Sequence, residues 1–132
     1  KVAGKAAEGV IMPIGPVVVV DQIEDSHPSK KIGQAFVKDY EAKYGAGSFS
    51  SFAAYAFDAG LLFKAAVPAA LKKGKPGTPE FRKALRDALE TEKEVVGTDG
   101  VFNMTPTDHF GLDARGRVLI RVDNGGYKLL GK

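Results

Sequence analysis

Two places in the sequence bring together side chains that could do chemistry. The first is the adjacent pair Asp108 and His109 in the stretch TPTDHFG. An aspartate that orients a histidine forms the acid–base part of a serine hydrolase site, provided that a serine lies near both. No serine of the sequence stands in a Gly-x-Ser-x-Gly nucleophile turn. Because an Asp–His pair in a loop rich in Pro and Gly usually belongs to the surface, a hydrolase is the weaker hypothesis.

The second place is the start of the stretch GSFSSFAAYAFDAGLLFKAA, residues 47–66, which the pattern predicts to be a helix. Ser50 and Ser51 are good N-cap candidates, and capping alone would explain either serine. A helix N-terminus also offers free N–H groups and the positive end of the helix dipole, which suit a carboxylate. Asp58 in the middle of this helix needs donors if it is buried, so we expect it to hold a neighbouring loop in place.

Composition removes several other classes of site. The 132 residues contain no cysteine and only two histidines, His27 and His109, so we expect no disulfide, no metal site and no cofactor. The net charge is +3, but Lys and Arg alternate with Asp and Glu, and no basic block is interleaved with aromatic residues. We therefore expect no nucleic-acid partner. The uncharged runs contain Pro or Gly and look too short to span a bilayer.

The predicted elements are three helices and five short strands. EGVIM and the valines at 17–20 are typical of buried strands, with the interruption PIGP between them. The first helix is expected at 29–45. The second is expected to begin at Ser50 or Ser51 and to kink or end at Pro68. The third is expected in TPEFRKALRDALETE, with Thr78 as its cap. A short strand at 101–104 precedes a hairpin that turns at Asn124-Gly125.

The second helix is apolar nearly all the way round, which is typical of a central helix covered on several sides. A chain of this size buries only about two-thirds of its unfolded surface. We therefore expect that packing partners for this helix lie outside the sequence, and that KVAGKAAEG at the start is sequence from the middle of a domain.

Six segments in order resemble the C-terminal third of the type I periplasmic solute-binding proteins, the branched-chain amino-acid-binding proteins of ATP-driven importers. The segments are AEGVIM with IGP, HPSKKIGQAFVKDYEAKYG, FAAYAFDAGLLFKAA, FRKALRDALE, GTDGVFNMTPTDHFGLD and VLIRVDNGGYKLL. No one motif is specific, but their order and spacing cover essentially the whole chain. Asp58 resembles the aspartate of a YDA segment that the family carries. In this sequence Phe57 takes the place of the tyrosine in that segment.

The resemblance implies an α/β fold, the C-terminal part of a two-lobe architecture whose lobes are three-layer α/β/α units. Residues 1–15 would end a segment of the second lobe and cross the hinge at Ile14, Gly15 and Pro16. Residues 16–115 would form the C-terminal half of the first lobe, and residues 116–132 would return to the second lobe. The remainder of the same polypeptide would supply the rest of both lobes.

The resemblance also implies a function without catalysis, in the bacterial periplasm. A small carboxylate-bearing solute would bind between the lobes and be delivered to the membrane permease of an ABC importer. Phe49, Ser50 and Ser51 would form one wall of the cleft. The expected solute is a branched-chain amino acid or an aromatic or other organic acid. In branched-chain amino-acid binders a bulky aromatic residue tends to occupy the place of Ser50, so a serine here predicts a roomier pocket and a solute larger than leucine, for instance an aromatic acid.

Two alternatives stay open. The same fold serves as the ligand-sensing domain of receptors and regulators, and the hydrolase would use Asp108 and His109. The isolated 132 residues are expected to bind solute weakly or not at all, because most of the pocket would lie upstream.

Overall fold

The computed structural model describes residues 3–131, in which three consecutive α-helices follow the first of five short strands and precede the other four. The helices are α1 (Ser29–Tyr44), α2 (Ser51–Leu71) and α3 (Pro79–Leu89). The strands are β1 (Ile11–Ile14), β2 (Val95–Val96), β3 (Val101–Phe102), β4 (Val118–Asp123) and β5 (Gly126–Leu129). Single 3₁₀ turns occupy Gly4–Ala7, Pro16–Val19 and Ala114–Gly116.

The two ends of the described chain share one antiparallel sheet. Its strand order is β1-β4-β5, with Ile11 opposite Arg121 in the first pair and Ile120 opposite Leu129 in the second. All three helices lie in the chain between β1 and β4. The polypeptide therefore leaves this sheet after Ile14 and rejoins it at Val118.

The predicted hairpin is confirmed at Asn124 and Gly125, which have φ angles of 51° and 74°. Positive φ at both central residues is the geometry of a type I′ turn, and Asn-Gly is the favoured sequence for it. The Glu8 carboxylate accepts hydrogen bonds from the backbone N–H groups of Asn124 at 2.9 Å and Gly125 at 2.7 Å. The segment before β1 thus stabilises the turn that follows β4.

Two predicted helix boundaries agree with the structure, the start of α3 and the end of α1. Thr78 caps α3, with its hydroxyl accepting from the Phe81 N–H at 3.2 Å, and Pro79 follows at the first helical position. Gly45 ends α1 at a φ of 99°.

Two predictions about local structure are wrong. The valines at 17–20 do not form a strand: Pro16–Val19 is a 3₁₀ turn, in which the Val18 N–H donates to the Gly15 carbonyl at 3.3 Å. Pro16 fixes the φ angle at the first position of this turn. The turn buries Val17 and Val19, so burial of the apolar side chains does not require a strand. The alternative of a helix end at Pro68 is wrong as well, since α2 continues through this residue to Leu71, while the alternative of a kink stays a prediction.

The hydrophobic core joins the 3₁₀ turn to the three-stranded sheet. Val19, Val20, Ile23 and Ile120 form a buried cluster, and side chains of β1, α1 and β5 pack against it. This cluster fixes the position of the chain immediately after it leaves β1, so Gly15 lies between two well-packed segments.

Helix α2 leaves much of its apolar surface uncovered by the described residues. Only Ala54, Asp58, Ala66 and Ala70 of its 21 residues are buried, and Phe52 is 79% exposed. By length and composition α2 could also cross a membrane, contrary to the expectation above, although core helices of soluble proteins pass the same test. The exposed faces of α2 within residues 3–131 agree with the expectation that its packing partners lie outside the sequence.

Candidate functional site

The N-terminus of α2 is free of side-chain capping. Ser50 is the N-cap residue, with the extended angles φ −143° and ψ 154°, and its hydroxyl makes no capping hydrogen bond with the described residues. Its carbonyl oxygen accepts from the Ala53 N–H at 3.1 Å, so the helix starts at Ser51 with regular geometry. N–H groups at the start of the helix therefore keep their capacity to bind an anion.

The three residues predicted to face the ligand differ in their surroundings. Phe49 is half-buried, with its ring edge-on to the ring of Phe36 at a centroid distance of 6.1 Å. Ser50 is exposed and Ser51 is half-buried. The ring of Phe49 thus contributes to the packing of α1 against the segment that leads into α2, while Ser50 is open to contact from outside the described chain.

Asp58 ties α2 to the loop that joins β2 to β3. Its Oδ1 accepts from the Thr98 N–H at 2.7 Å and from the Thr98 hydroxyl at 2.9 Å, and its Oδ2 accepts from the Asp99 N–H at 2.9 Å. Asp58 is only 2% exposed. The prediction that this carboxylate holds a neighbouring loop in place is confirmed.

Asp99, the next residue after Thr98 in the same loop, differs from Asp58 in the hydrogen bonding of its carboxyl group. It is 3% exposed, and neither of its carboxylate oxygens has a hydrogen-bond partner among residues 3–131. The nearby Thr98 hydroxyl favours the charged form of Asp99 only weakly, because it donates its proton to Asp58. Burial, together with the charge of Asp58, raises the pKa of Asp99 to about 7.

Both places where the chain crosses to and from the three-stranded sheet touch Asp99. A Cβ atom on Gly15 would lie 1.9 Å from Asp99 Oδ1, so only glycine lets the backbone pass this carboxyl group. At the other crossing, a Cβ atom on Gly116 would lie 3.0 Å from the Asp99 carbonyl oxygen. The predicted hinge residue Gly15 is therefore packed directly on Asp99.

A cavity of about 530 Å³ lies beside this contact. It is bounded by one side of α2, by the end of β1 and by the loops on either side of β3. Its walls include Tyr55, Leu62, Phe102, Phe110 and Leu112, with Asp99, His109 and Arg117 as polar members. Most of its surface is apolar with a few convergent polar groups, which is the usual character of a small-molecule site.

A second cavity, of about 600 Å³, lies between residues 23–28 and the edge of β4 and β5. Its histidine, His27, already has partners: Nε2 contacts the Arg115 carbonyl oxygen at 3.1 Å and Nδ1 accepts from the Ser29 N–H at 3.2 Å. None of its described lining residues belongs to α2, and none is a buried carboxylate without partners. We therefore regard the cavity beside Asp99 as the stronger candidate.

Asp108 and His109 do not form a catalytic pair. Asp108 Oδ1 accepts from the N–H groups of Phe110 at 3.0 Å and Gly111 at 3.1 Å, which closes a turn. His109 Nε2 lies 3.3 Å from Glu90 Oε1. Each side chain thus has a structural partner of its own, and within residues 3–131 no group of three His, Asp or Glu side chains is arranged to hold a metal ion.

The sequence analysis did not single out Asp99. The available signal was an aspartate between short apolar segments, with glycine close on both sides in the stretch GTDGVF. Glycine near an acidic residue is typical of any turn, so this signal alone does not predict burial.

Comparison with known proteins gives a consistent result. A model of the periplasmic binding protein family matches residues 1–126. An extracellular ligand-binding receptor from Rhodopseudomonas palustris is 50% identical, with a TM-score of 0.91, and the match covers 98% of this chain and 36% of that chain. A second such receptor, from R. palustris HaA2, is 47% identical with the same TM-score and the same coverage.

A putative branched-chain amino acid ABC transporter from Rhodospirillum rubrum is more distant. It is 28% identical, with a TM-score of 0.62, and the match covers 96% of this chain and 32% of that one. The search of curated proteins found no match. The chain thus spans about 36% of the length of the solved receptors that it resembles most among these.

Replacing Asp58 with asparagine tests its anchoring role. We expect Asp58→Asn in the full-length protein to lower the free energy of unfolding by about 2 kcal/mol, because an amide NH₂ cannot accept the Asp99 or Thr98 N–H bond. Urea denaturation measures this change. Asp21→Asn, at an exposed position, is the matched control and should change stability by less than about 0.5 kcal/mol. Equal effects of the two variants would contradict the anchoring role.

The raised pKa of Asp99 predicts a pH dependence of stability. The ordinary pKa of 3.8 applies to the unfolded chain, and the folded value is about 7. Between these values the folded state holds a proton that the unfolded state has lost, so stability is greatest at the acidic end and falls as the pH rises through this range. Urea denaturation of the ligand-free, full-length protein at several pH values measures the slope.

Asp99→Asn should remove this part of the slope, because the asparagine does not titrate. Asp21→Asn should leave the slope unchanged. If the wild-type protein and Asp99→Asn had the same slope between pH 4 and pH 7, Asp99 would not carry the proton.

Proposed function

The chain belongs to the periplasmic binding protein family, and on that premise we propose that it forms one wall of a solute-binding cleft in a longer, two-lobe protein. In the proposed division, residues 1–15 and 116–132 belong to the second lobe and residues 16–115 to the first. The protein binds a small carboxylate-bearing solute without transforming it.

The observation that carries this proposal is the path of the chain. β1 and β4 are neighbours in one sheet, and the segment between them, which includes all three helices, leaves that sheet after Ile14 and returns at Val118. Gly15 and Gly116 lie at the two crossings. In the proposed hinge this segment turns about the crossings, as closure around a ligand requires, and the core contacts of residues 19–23 with the sheet change with it.

The start of α2 supplies the proposed contact with the solute. Free N–H groups and the positive end of a 21-residue helix attract a carboxylate, and the Ser50 and Ser51 hydroxyls can donate to it. Phe49 supports this segment through its ring contact with Phe36 and borders the solute with its remaining exposed edge. Upstream sequence supplies the other contacts.

The proposed solute is a branched-chain amino acid or an aromatic or other organic acid. The name of the R. rubrum protein refers to branched-chain amino acids, whereas the R. palustris receptors, which are more similar, carry no solute in their names. The small side chain of Ser50 favours a solute larger than leucine. The proposed location is the bacterial periplasm, in keeping with the extracytoplasmic location of the family.

The proposed partner is the membrane permease of an ABC importer, which recognises the closed form after solute has bound. A second candidate is a ligand-sensing domain, because the related R. palustris proteins are described as receptors. A membrane-spanning or DNA-binding segment elsewhere in the full polypeptide would favour the sensor. No contact of Asp108 or His109 favours the hydrolase.

Isothermal titration calorimetry on the full-length protein tests the proposal with a fixed panel of leucine, isoleucine, valine, phenylalanine, benzoate and phenylacetate. Binding of at least one of these with micromolar affinity or better is expected. Absence of binding to the whole panel would contradict the proposed solute class, and binding of leucine, isoleucine and valine alone would contradict the preference for a larger solute.

Enlarging residue 50 tests the position of the cleft. We expect Ser50→Phe in the full-length protein to weaken binding of phenylalanine or phenylacetate at least tenfold, because the added ring fills space that the solute occupies. Leucine binding should weaken less. Calorimetry measures both affinities.

Ser48→Phe places the same ring two residues earlier, on an exposed loop, and should leave both affinities unchanged. If Ser50→Phe behaved like Ser48→Phe, the solute would not approach the start of α2.

A further inference from the structure

We propose that Asp99 makes the hinge at Gly15 sensitive to protons, because its carboxyl group is neutral while Gly15 covers it and ionises when the hinge turns away. This inference rests on the proposed function, since it takes Gly15 as a hinge between two lobes. The conformation seen here, with Gly15 on Asp99, is called the covered conformation below.

The first support is the absence of partners for a buried carboxyl group. Within residues 3–131, Asp99 receives no hydrogen bond on either side-chain oxygen, although neighbouring Asp58 receives three. An ionised carboxylate that is buried without donors is strongly disfavoured, so a proton is the simplest way to satisfy the covered state.

The second support is the identity of the residue that covers Asp99. Gly15 approaches Asp99 so closely that any side chain at position 15 would clash with the carboxyl group. Gly116, which precedes the return crossing, packs on the backbone of the same residue. Turning the lobes about these crossings must therefore change the surroundings of Asp99 before those of most other residues.

The charged groups around Asp99 set the direction of the effect. On α2, the charge of Asp58 opposes ionisation of Asp99 in the covered conformation. Across the adjacent cavity, Arg117 and His109 are the cationic or titratable side chains, and Tyr55 is the other titratable one. Once Gly15 moves, water and the Arg117 guanidinium can reach the carboxylate and stabilise its charge.

The chemical balance of the step is simple. Uncovering breaks the carboxylic acid O–H bond, the proton passes to water, and the negative charge stays on Asp99. The covered conformation consequently takes up a proton when it forms. Its population should fall as the pH rises from the ordinary carboxyl pKa of 3.8 to about 7, the value to which burial and Asp58 raise the pKa of Asp99, and should change little above that.

The test measures lobe separation without any solute, so it does not depend on which solute the protein binds. Spin labels are attached to full-length protein through Lys83→Cys on α3 and Lys128→Cys on β5, both at exposed positions. Double electron–electron resonance between pH 4 and pH 8 gives the distribution of distances. In the otherwise unchanged protein, a shift between two distance populations that is complete by about pH 7 is expected.

Variants assign the shift to the Asp99–Gly15 contact. Asp99→Asn mimics the neutral carboxyl group and should keep the low-pH distribution at every pH. Asp21→Asn is the control and should keep the full shift. Gly15→Ala places a methyl group against Asp99 and should give the high-pH distribution even at pH 5.

Three results would overturn the proposal. They are a distance distribution that does not change with pH, a shift that persists in Asp99→Asn, and a Gly15→Ala protein that still populates the low-pH distribution. If the solute panel binds and the distances do not respond to pH, the proposed function stands and only this inference fails. If the distances respond as expected and no panel member binds, the assigned solute class fails and the hinge remains.

Discussion

The hydrogen bonds of Asp58 are the interaction on which the rest of the arrangement depends. One carboxylate in the middle of α2 receives the N–H groups of two successive loop residues and a hydroxyl, and so fixes the loop between β2 and β3 against the helix. This fixed loop carries Asp99 to Gly15, where the chain leaves the three-stranded sheet. The start of α2 and the loop therefore move as one unit, and the crossing at Gly15 lies against this unit.

This unit explains how a helix with so much exposed apolar surface serves a binding protein. Its end near Ser50 offers N–H groups, its middle holds the loop through Asp58, and its uncovered faces are open to further packing in a chain that spans about 36% of the length of the solved receptors it resembles. The cavity beside Tyr55 and Asp99 lies along the same helix. Solute binding and hinge position can thus be coupled through one rigid element.

The sequence predicts local features well where one residue type determines the geometry. Thr78-Pro79, Gly45 and Asn124-Gly125 each act through their own backbone angles or their own side chain, and each prediction is confirmed. The strand predicted at 17–20 is wrong, because a short apolar run indicates burial and not conformation. The sequence also left open whether Pro68 ends α2 or kinks it, and the helix continues to Leu71.

The candidate site is only partly predictable for the same reason. The serines before α2 follow from helix capping, and the bonding of Asp58 follows from the need of a buried carboxylate for donors. Asp99 could not be found this way, because its burial depends on Gly15 and Gly116, which are distant in the sequence and come together only in the fold. The order of six segments indicates the family, although no single motif does.

The most direct test of the central claim is a crystal structure of the full-length protein with the tightest-binding member of the solute panel. The account predicts a solute between two lobes, with its carboxylate within hydrogen-bonding distance of the Ser50–Ser51 segment and with Gly15 and Gly116 at the crossings. A solute bound away from the start of α2, or one body in place of two lobes, would contradict it.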